Sequence, residues 1–104
     1  MALNVPTYNN QQYTFSGPHR DVAQIMDVSG VYVITTFANG IHRILDVGES
    51  ANLRTRLANH DRANEWSRHA VQNIYASVAY CNEQARMLLE TELRGFHNPP
   101  CGVR

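Results

Sequence analysis

The sequence predicts an α/β domain with a small, mainly antiparallel sheet of three strands flanked by helices. Two patterns predict this class: β-branched and aromatic runs bounded by turn residues, and a late segment whose apolar residues recur at helical spacing. The chain has 104 residues, which leaves room for one hydrophobic core. Hydrophobic residues make up 43% and charged residues 17%, a composition typical of globular domains that argues against disorder.

The first 28 residues are expected to form an arm and a short helix packed on the core. Residues 1–17 are rich in Asn, Gln, Tyr and Pro, and residues 19–27 place Val22, Ile25 and Met26 on one helical side. This start lacks the basic and apolar regions of a secretory signal, and no stretch has the length and apolarity of a membrane span. We therefore expect a cytoplasmic protein with no membrane partner.

The strongest strand signals form a hairpin. Residues 30–37 and 41–47 are β-branched and aromatic, and Ala38-Asn39-Gly40 joins them. A two-residue turn would pair Val33 with Asp46, whereas a three-residue turn with Gly40 left-handed would pair Tyr32 with Asp46. Because a slip of one residue reverses every side chain, the turn decides which groups can share a site.

Helical segments follow the hairpin. Ser50 can cap a helix over residues 51–60, in which Arg56 and His60 share a face beside the apolar stripe of Leu53 and Leu57. Residues 64–70 can form a helical turn that packs Trp66. Residues 73–80 form the third strand, and Asn82 can cap a last helix over residues 83–97. The residues expected to face inward from this last helix are Ala85, Leu88, Leu89, Leu93 and Phe96.

The charge balance and the two cysteines bear on whether the chain binds nucleic acid and whether it contains a disulfide. Nine basic residues, all Arg, balance nine acidic residues, so the chain lacks the strong basic excess typical of many nucleic-acid-binding proteins. The Arg fork nevertheless fits phosphate in a bidentate way. Cys81 and Cys101 flank the last predicted helix, which spans roughly 24 Å, so a disulfide between them is not expected.

Several short motifs occur in an ordered set along the chain. They are Gly30-Val31-Tyr32, Asp46-Val47-Gly48, the segment 48–60 that carries Arg56 and His60, Ala85 to Leu93 around Glu90, and the ending His97-Asn98-Pro99-Pro100-Cys101-Gly102. This set resembles the GIY-YIG nuclease family, in particular its small stand-alone bacterial members. The resemblance covers residues 29–102, so residues 29–104 are expected to form the GIY-YIG-like domain.

The resemblance implies a DNA endonuclease that uses one divalent cation, Mg²⁺ or Mn²⁺, to cut phosphodiester bonds. Tyr32 matches the tyrosine of the first motif, and Arg56 matches the arginine that grips the scissile phosphate. His60 matches a position that is His or Tyr in many members, and Glu90 matches the metal-binding glutamate. Such residues suit the chemistry, because a hard cation prefers carboxylate oxygen and a phenol or imidazole can move a proton. Nearby arginines that could contact DNA are Arg43, Arg54 and Arg62.

Three positions depart from the family pattern. Asp46 replaces the tyrosine of the second motif, Gly102 replaces an asparagine, and Glu49 brings a negative charge where many relatives are basic or amide-bearing. Two functions are therefore open: an endonuclease whose activity is impaired, and a degenerate domain that binds nucleic acid or a protein partner without cutting. Glu90 also lies four residues from both Arg86 and Arg94, which fits a simple ion-pair role.

Asp46 has two possible fates if the family site forms. The site needs Tyr32 and Asp46 on one face of the sheet, so we predict the three-residue turn that pairs them. Asp46 could then join Glu90 as a second catalytic carboxylate and metal ligand. Alternatively, it could pair with Arg56 or Arg43 and occupy the position of the phosphate. In either case Tyr32, Arg56, His60 and Glu90 are expected to converge in one concave site.

Overall fold

Five antiparallel strands form one sheet in the computed structural model, which describes residues 1–102. The strands are β1 (Ala2–Pro6), β2 (Gln12–His19), β3 (Gly30–Ala38), β4 (Ile41–Ser50) and β5 (Ile74–Tyr80). Their spatial order is β1-β2-β5-β3-β4, and every neighbouring pair is antiparallel. The sequence predicted β3, β4 and β5, but the prediction of a three-stranded sheet missed the first two.

The N-terminal segment is a hairpin rather than an arm. Residues 1–19 contain the alternation that a half-buried strand needs, because Val5 and Phe15 are buried between exposed neighbours. Asn9 and Asn10 adopt positive φ between the strands, which asparagine tolerates better than most residues. The helix predicted over residues 19–27 is also wrong, since this segment contains only a 3₁₀ turn at Val22–Gln24.

The β3–β4 hairpin has a two-residue turn. Asn39 and Gly40 both adopt positive φ (54° and 80°), and Ala38 lies opposite Ile41. Asn-Gly favours this turn because its twist matches the right-handed twist of the strands. The three-residue turn was therefore a wrong prediction, and Tyr32 pairs with Gly48 rather than with Asp46.

A β-bulge in β4 places Tyr32 and Asp46 on the same face of the sheet. With the two-residue turn and no bulge, the two side chains would point to opposite faces. The register shifts by one residue after Thr35 and Ile44, so that Ile34 lies opposite Asp46 and Leu45 is the extra residue. Leu45 packs in the same cluster as Tyr32 and Ile34, and Asp46 bonds to Trp66 of that cluster. Tyr32 and Asp46 thus face the same side, although they are not directly paired.

Three helices cover the sheet: α1 (Leu53–Ala58), α2 (Ala63–His69) and α3 (Glu83–His97). Helix α3 has the predicted bounds, and the Asn82 side chain caps it by accepting the Ala85 N–H at 2.9 Å. Helix α1 starts later than predicted, because the Ser50 hydroxyl accepts the Asn52 N–H in the preceding turn. Within residues 1–102, no helix is long and apolar enough to cross a bilayer.

The hydrophobic core has two halves, one on each face of the sheet. On the first face, which we call the α1 face, Tyr32, Ile34 and Val78 pack against Leu53, Leu57 and Trp66. On the second, the α3 face, Val31, Val33 and Val47 pack against Leu93. The inward assignment is wrong for three residues of α3, because Ala85 is exposed and Leu88 and Phe96 are 67% and 41% exposed. Cys81 and Cys101 are free thiols.

Candidate functional site

Tyr32 and His60 lie at the centre of the candidate site. Both are buried on the α1 face, and the Tyr32 hydroxyl forms a short hydrogen bond with His60 Nε2. The other ring nitrogen, Nδ1, accepts the backbone N–H of Arg62 at 3.0 Å. In the neutral imidazole the proton therefore sits on Nε2 and is donated to the Tyr32 oxygen. That oxygen also accepts from Arg62 Nη2 at 3.2 Å.

Asp46 is fully buried, and protein donors surround both of its carboxylate oxygens. Arg62 Nε and Trp66 Nε1 donate to Oδ2 at 2.7 and 2.8 Å. Arg94 Nη2 and the Val47 N–H donate to Oδ1, the former through a short contact. These contacts match the second fate considered for Asp46, but its arginine partners are Arg62 and Arg94, and the expectation of Arg56 or Arg43 was wrong.

Among the charged predicted residues around Tyr32, Arg56 and Glu90 have the most exposed side chains, ahead of Arg62 at 21%. The Arg56 side chain is 35% exposed and pairs at 3.0 Å with Asp61, which is itself largely exposed. Glu90 is 26% exposed and accepts from Arg94 Nε at 3.3 Å. Since Arg94 also binds Asp46, Glu90 is connected through Arg94, Asp46 and Arg62 to Tyr32.

Burial and the neighbouring cations set the protonation of the central pair. Desolvation raises the pKa of Tyr32 to about 12, although Arg62 and Arg56 oppose that shift. Desolvation also lowers the pKa of His60 to about 4, and Arg56 and Arg62 add to this effect. Both groups are therefore neutral at pH 7, which agrees with the hydrogen-bond pattern of a neutral imidazole.

Two glycines make room for this network. Tyr32 lies across from Gly48, where an added Cβ would approach the Tyr32 hydroxyl to 2.1 Å. Gly102 has φ +98°, and a Cβ there would lie 2.6 Å from Arg94 and 2.9 Å from Asp46. The Asp46–Arg94 pair thus occupies the space that a side chain at residue 102 would need.

The arginines predicted to contact DNA have separate roles. Arg62 is mostly buried between Asp46 and Tyr32, and Arg54 Nε donates to the Ile25 carbonyl at 2.7 Å. Arg43 lies near the β3–β4 turn, opposite Thr36, and remains exposed. Glu49 forms a 2.6 Å ion pair with Arg86, so its negative charge is matched within the protein.

Sequence reasoning missed the role of Arg94 and the polar contact of Trp66. Arg94 was visible as an i+4 partner of Glu90, and that contact exists. Its bond to Asp46 joins residues 48 positions apart, and a contact at that separation cannot be predicted from the spacing of residues within one helix or strand. The signal that could have found it is the unusual Asp in a buried strand, which requires donors from elsewhere in the fold.

The donor set limits how a cation could bind. Within residues 1–102, no group of three or more His, Cys, Asp or Glu side chains is arranged to hold a metal. Asp46 cannot serve as the second ligand while Arg62 and Arg94 hold it. Glu90 remains, and one carboxylate combined with substrate phosphate oxygens is a donor set that Mg²⁺ accepts. Glu90 could therefore hold a cation that retains most of its water ligands.

Comparison with known proteins found no relative of this chain. A scan against protein-family models, a search of curated proteins and a search of solved structures each found no match. The functional interpretation therefore rests on the motif residues and on the contacts described above.

Proposed function

We propose that this protein is a metal-dependent endonuclease that hydrolyses phosphodiester bonds in DNA. One observation carries the proposal: Tyr32, Arg56, His60 and Glu90, which come from three separate segments of the chain, are joined through shared partners. Arg56 pairs with Asp61, which lies 3.4 Å from His60 Nδ1, His60 bonds to Tyr32, and Glu90 connects to Tyr32 through Arg94, Asp46 and Arg62. These four are the residues that the GIY-YIG resemblance designates. The two that must reach phosphate and cation, Arg56 and Glu90, are the ones that keep solvent access.

Each side chain has a role that its surroundings support. Arg56 can exchange its exposed partner Asp61 for a phosphate, because exposed ion pairs contribute little free energy. Glu90 would hold the cation, which when bound neutralises charge on the leaving oxygen. Tyr32 is neutral and accepts hydrogen bonds from His60 and Arg62, so its own O–H can donate to the phosphate or the leaving oxygen, while the proton of the attacking water passes to solvent.

The test is cleavage of supercoiled plasmid and of branched DNA in Mg²⁺ or Mn²⁺. We expect wild-type protein to cut, Glu90→Gln to lose cutting, and Arg56→Ala to lose about 100-fold or more in rate, since it removes a cation from the transition state. Glu83→Gln is the matched control, because Glu83 is an exposed acid on the same helix. Equal cutting by wild type and Glu90→Gln would contradict the proposal.

Asp46 favours a second candidate, a domain that binds nucleic acid without cutting it. Its carboxylate engages Arg62 and Arg94, two cations that could otherwise bind a phosphate. Wild-type protein that binds DNA in a salt-dependent manner, but cuts no substrate with either metal, would support this candidate. Fluorescence anisotropy over a salt titration measures that binding directly.

A further inference from the structure

A cleft on the α3 face lies apart from the proposed nuclease site. It has a volume of about 380 Å³ and lies between α3 and the β2–β5 part of the sheet. Tyr13 and Ala79 line the sheet side, and Ala85, Leu88 and Leu89 line the helix side. None of these residues contributes to the network around Asp46.

The cleft exists because α3 covers only part of its face. The helix packs mainly on β4 and, less extensively, on β3. Leu88, which helical spacing assigned to the core, therefore borders the cleft and is 67% exposed. Leu88 continues the apolar surface of Ala85 and Leu89 along the helix side of the cleft. A contiguous exposed apolar surface is a feature of interaction sites.

Glu92 gives the cleft a charge. It is the one charged residue lining the cleft, and within residues 1–102 its bonding partners are neutral hydroxyls. Thr7 Oγ1 donates at 2.6 Å and Tyr13 Oη at 3.1 Å. The carboxylate raises the pKa of Tyr13, first through this hydrogen bond. A carboxylate has about four acceptor sites, so Glu92 can also accept from a cation.

The residues that α3 contributes to the cleft lie along one face of the helix. Ala85, Leu88, Leu89 and Glu92 follow the i, i+3, i+4, i+7 pattern of one helix face, so the apolar end and the carboxylate lie about two turns apart. A helix packed beside α3 would place its own side chains at matching one-turn intervals. We propose that this cleft binds an amphipathic helical segment of a partner protein, with leucine-sized side chains over Leu88 and a Lys or Arg on Glu92.

A synthetic peptide probe tests this surface without DNA or metal, so its result is independent of the proposed nuclease activity. The probe is an amphipathic Leu/Lys peptide of about 18 residues, long enough to form a helix. The counterpart has Glu in place of every Lys. In ¹H–¹⁵N NMR titrations, the Leu/Lys peptide should shift the amide signals of Tyr13, Ala79, Ala85 and Leu88, whereas the Leu/Glu peptide should not.

Two variants examine the two contacts separately. Glu92→Gln should raise the Kd by about ten-fold or more, because it removes the charge from a hydrogen-bonded pair. Leu88→Ser should weaken binding to a similar extent, about ten-fold, by removing apolar contact. Glu83→Gln should leave the Kd unchanged. Since Leu88 is exposed, Leu88→Ser decides the question if Glu92→Gln fails to fold.

Other outcomes would overturn the proposal. They are peptide-induced shifts confined to another surface, a Kd that neither variant changes, and equal binding of both peptides. A concentration-dependent dimer that Leu88→Ser abolishes, measured by sedimentation, would instead assign the cleft to a second copy of this chain.

Discussion

Asp46 shows how one residue organises the candidate site. A buried carboxylate is costly unless donors satisfy it, and here Arg62, Arg94, Trp66 and the Val47 N–H do so. The same contacts fix Arg62 against Tyr32 and Arg94 against Glu90. Asp46 therefore supports the site by positioning the Arg62 and Arg94 side chains. Each of its two carboxylate oxygens already accepts two hydrogen bonds, so neither is available to bind a metal.

Replacing Asp46 should destabilise the fold strongly. Asp46→Ala would leave two arginines without their shared buried partner, and we expect a loss of about 3–5 kcal/mol in the free energy of unfolding. Urea denaturation measures this change. Asp61→Ala is the matched control, because Asp61 is an exposed arginine partner and its removal should change stability little. Similar stability of the two variants would contradict the role given to Asp46.

The buried His60 predicts how stability depends on pH. Its folded pKa of about 4 lies below the ordinary value of 6.5, so the unfolded chain binds the extra proton first as the pH falls. The contribution of neutral His60 is complete above pH 6.5 and is lost progressively toward pH 4. Stability measured across this window should therefore decrease with falling pH.

The variant His60→Gln should flatten this decrease in stability. Part of the slope should remain, because burial also lowers the pKa of His42 and His97. His69→Gln serves as control, since His69 is exposed on α2. A slope that His60→Gln leaves unaltered would show that His60 is not the group that titrates.

At the scale of elements, the sequence predicted the strands and the helix whose formation depends mainly on neighbouring residues. Strands β3 to β5 and the bounds and cap of α3 follow from β-branched runs, helical spacing and the Asn82 side chain. The bulge at Leu45 could not be predicted, because only packing against Tyr32 and Ile34 favours the extra residue. Leu88 was misplaced for a related reason, since spacing identifies an apolar face without showing how far the sheet covers it.

The N-terminal hairpin extends the sheet and anchors the end of α3. Thr7 and Tyr13 bond to Glu92, Tyr8 packs edge-on against Phe96, and the Pro6 carbonyl lies 2.7 Å from His97 Nε2. Polar and aromatic composition suggested an arm, whereas the alternation of buried residues in β1 and β2 marks strands. These contacts help to hold α3, and with it Glu90 and Arg94, beside β4.

At the scale of the whole molecule, the sheet separates two surfaces with different proposed tasks. The α1 face carries Tyr32 and His60, with Arg56 joined to His60 through Asp61, and α3 brings Glu90 to the same network through Arg94. The cleft at Leu88 and Glu92 opens on the other face. Because one small domain offers little surface for reading DNA sequence, a partner held in that cleft could direct the proposed nuclease site to its substrate.

The most direct test of the central claim locates the cation. Mn²⁺ is titrated into ¹⁵N-labelled protein bound to a DNA duplex with non-hydrolysable phosphorothioate linkages, and paramagnetic broadening is recorded by residue. We predict broadening centred on Glu90, Arg94 and Val47, which are joined by direct contacts, and its loss in Glu90→Gln. Broadening centred on another acidic surface, or unchanged in Glu90→Gln, would contradict the assignment of this site.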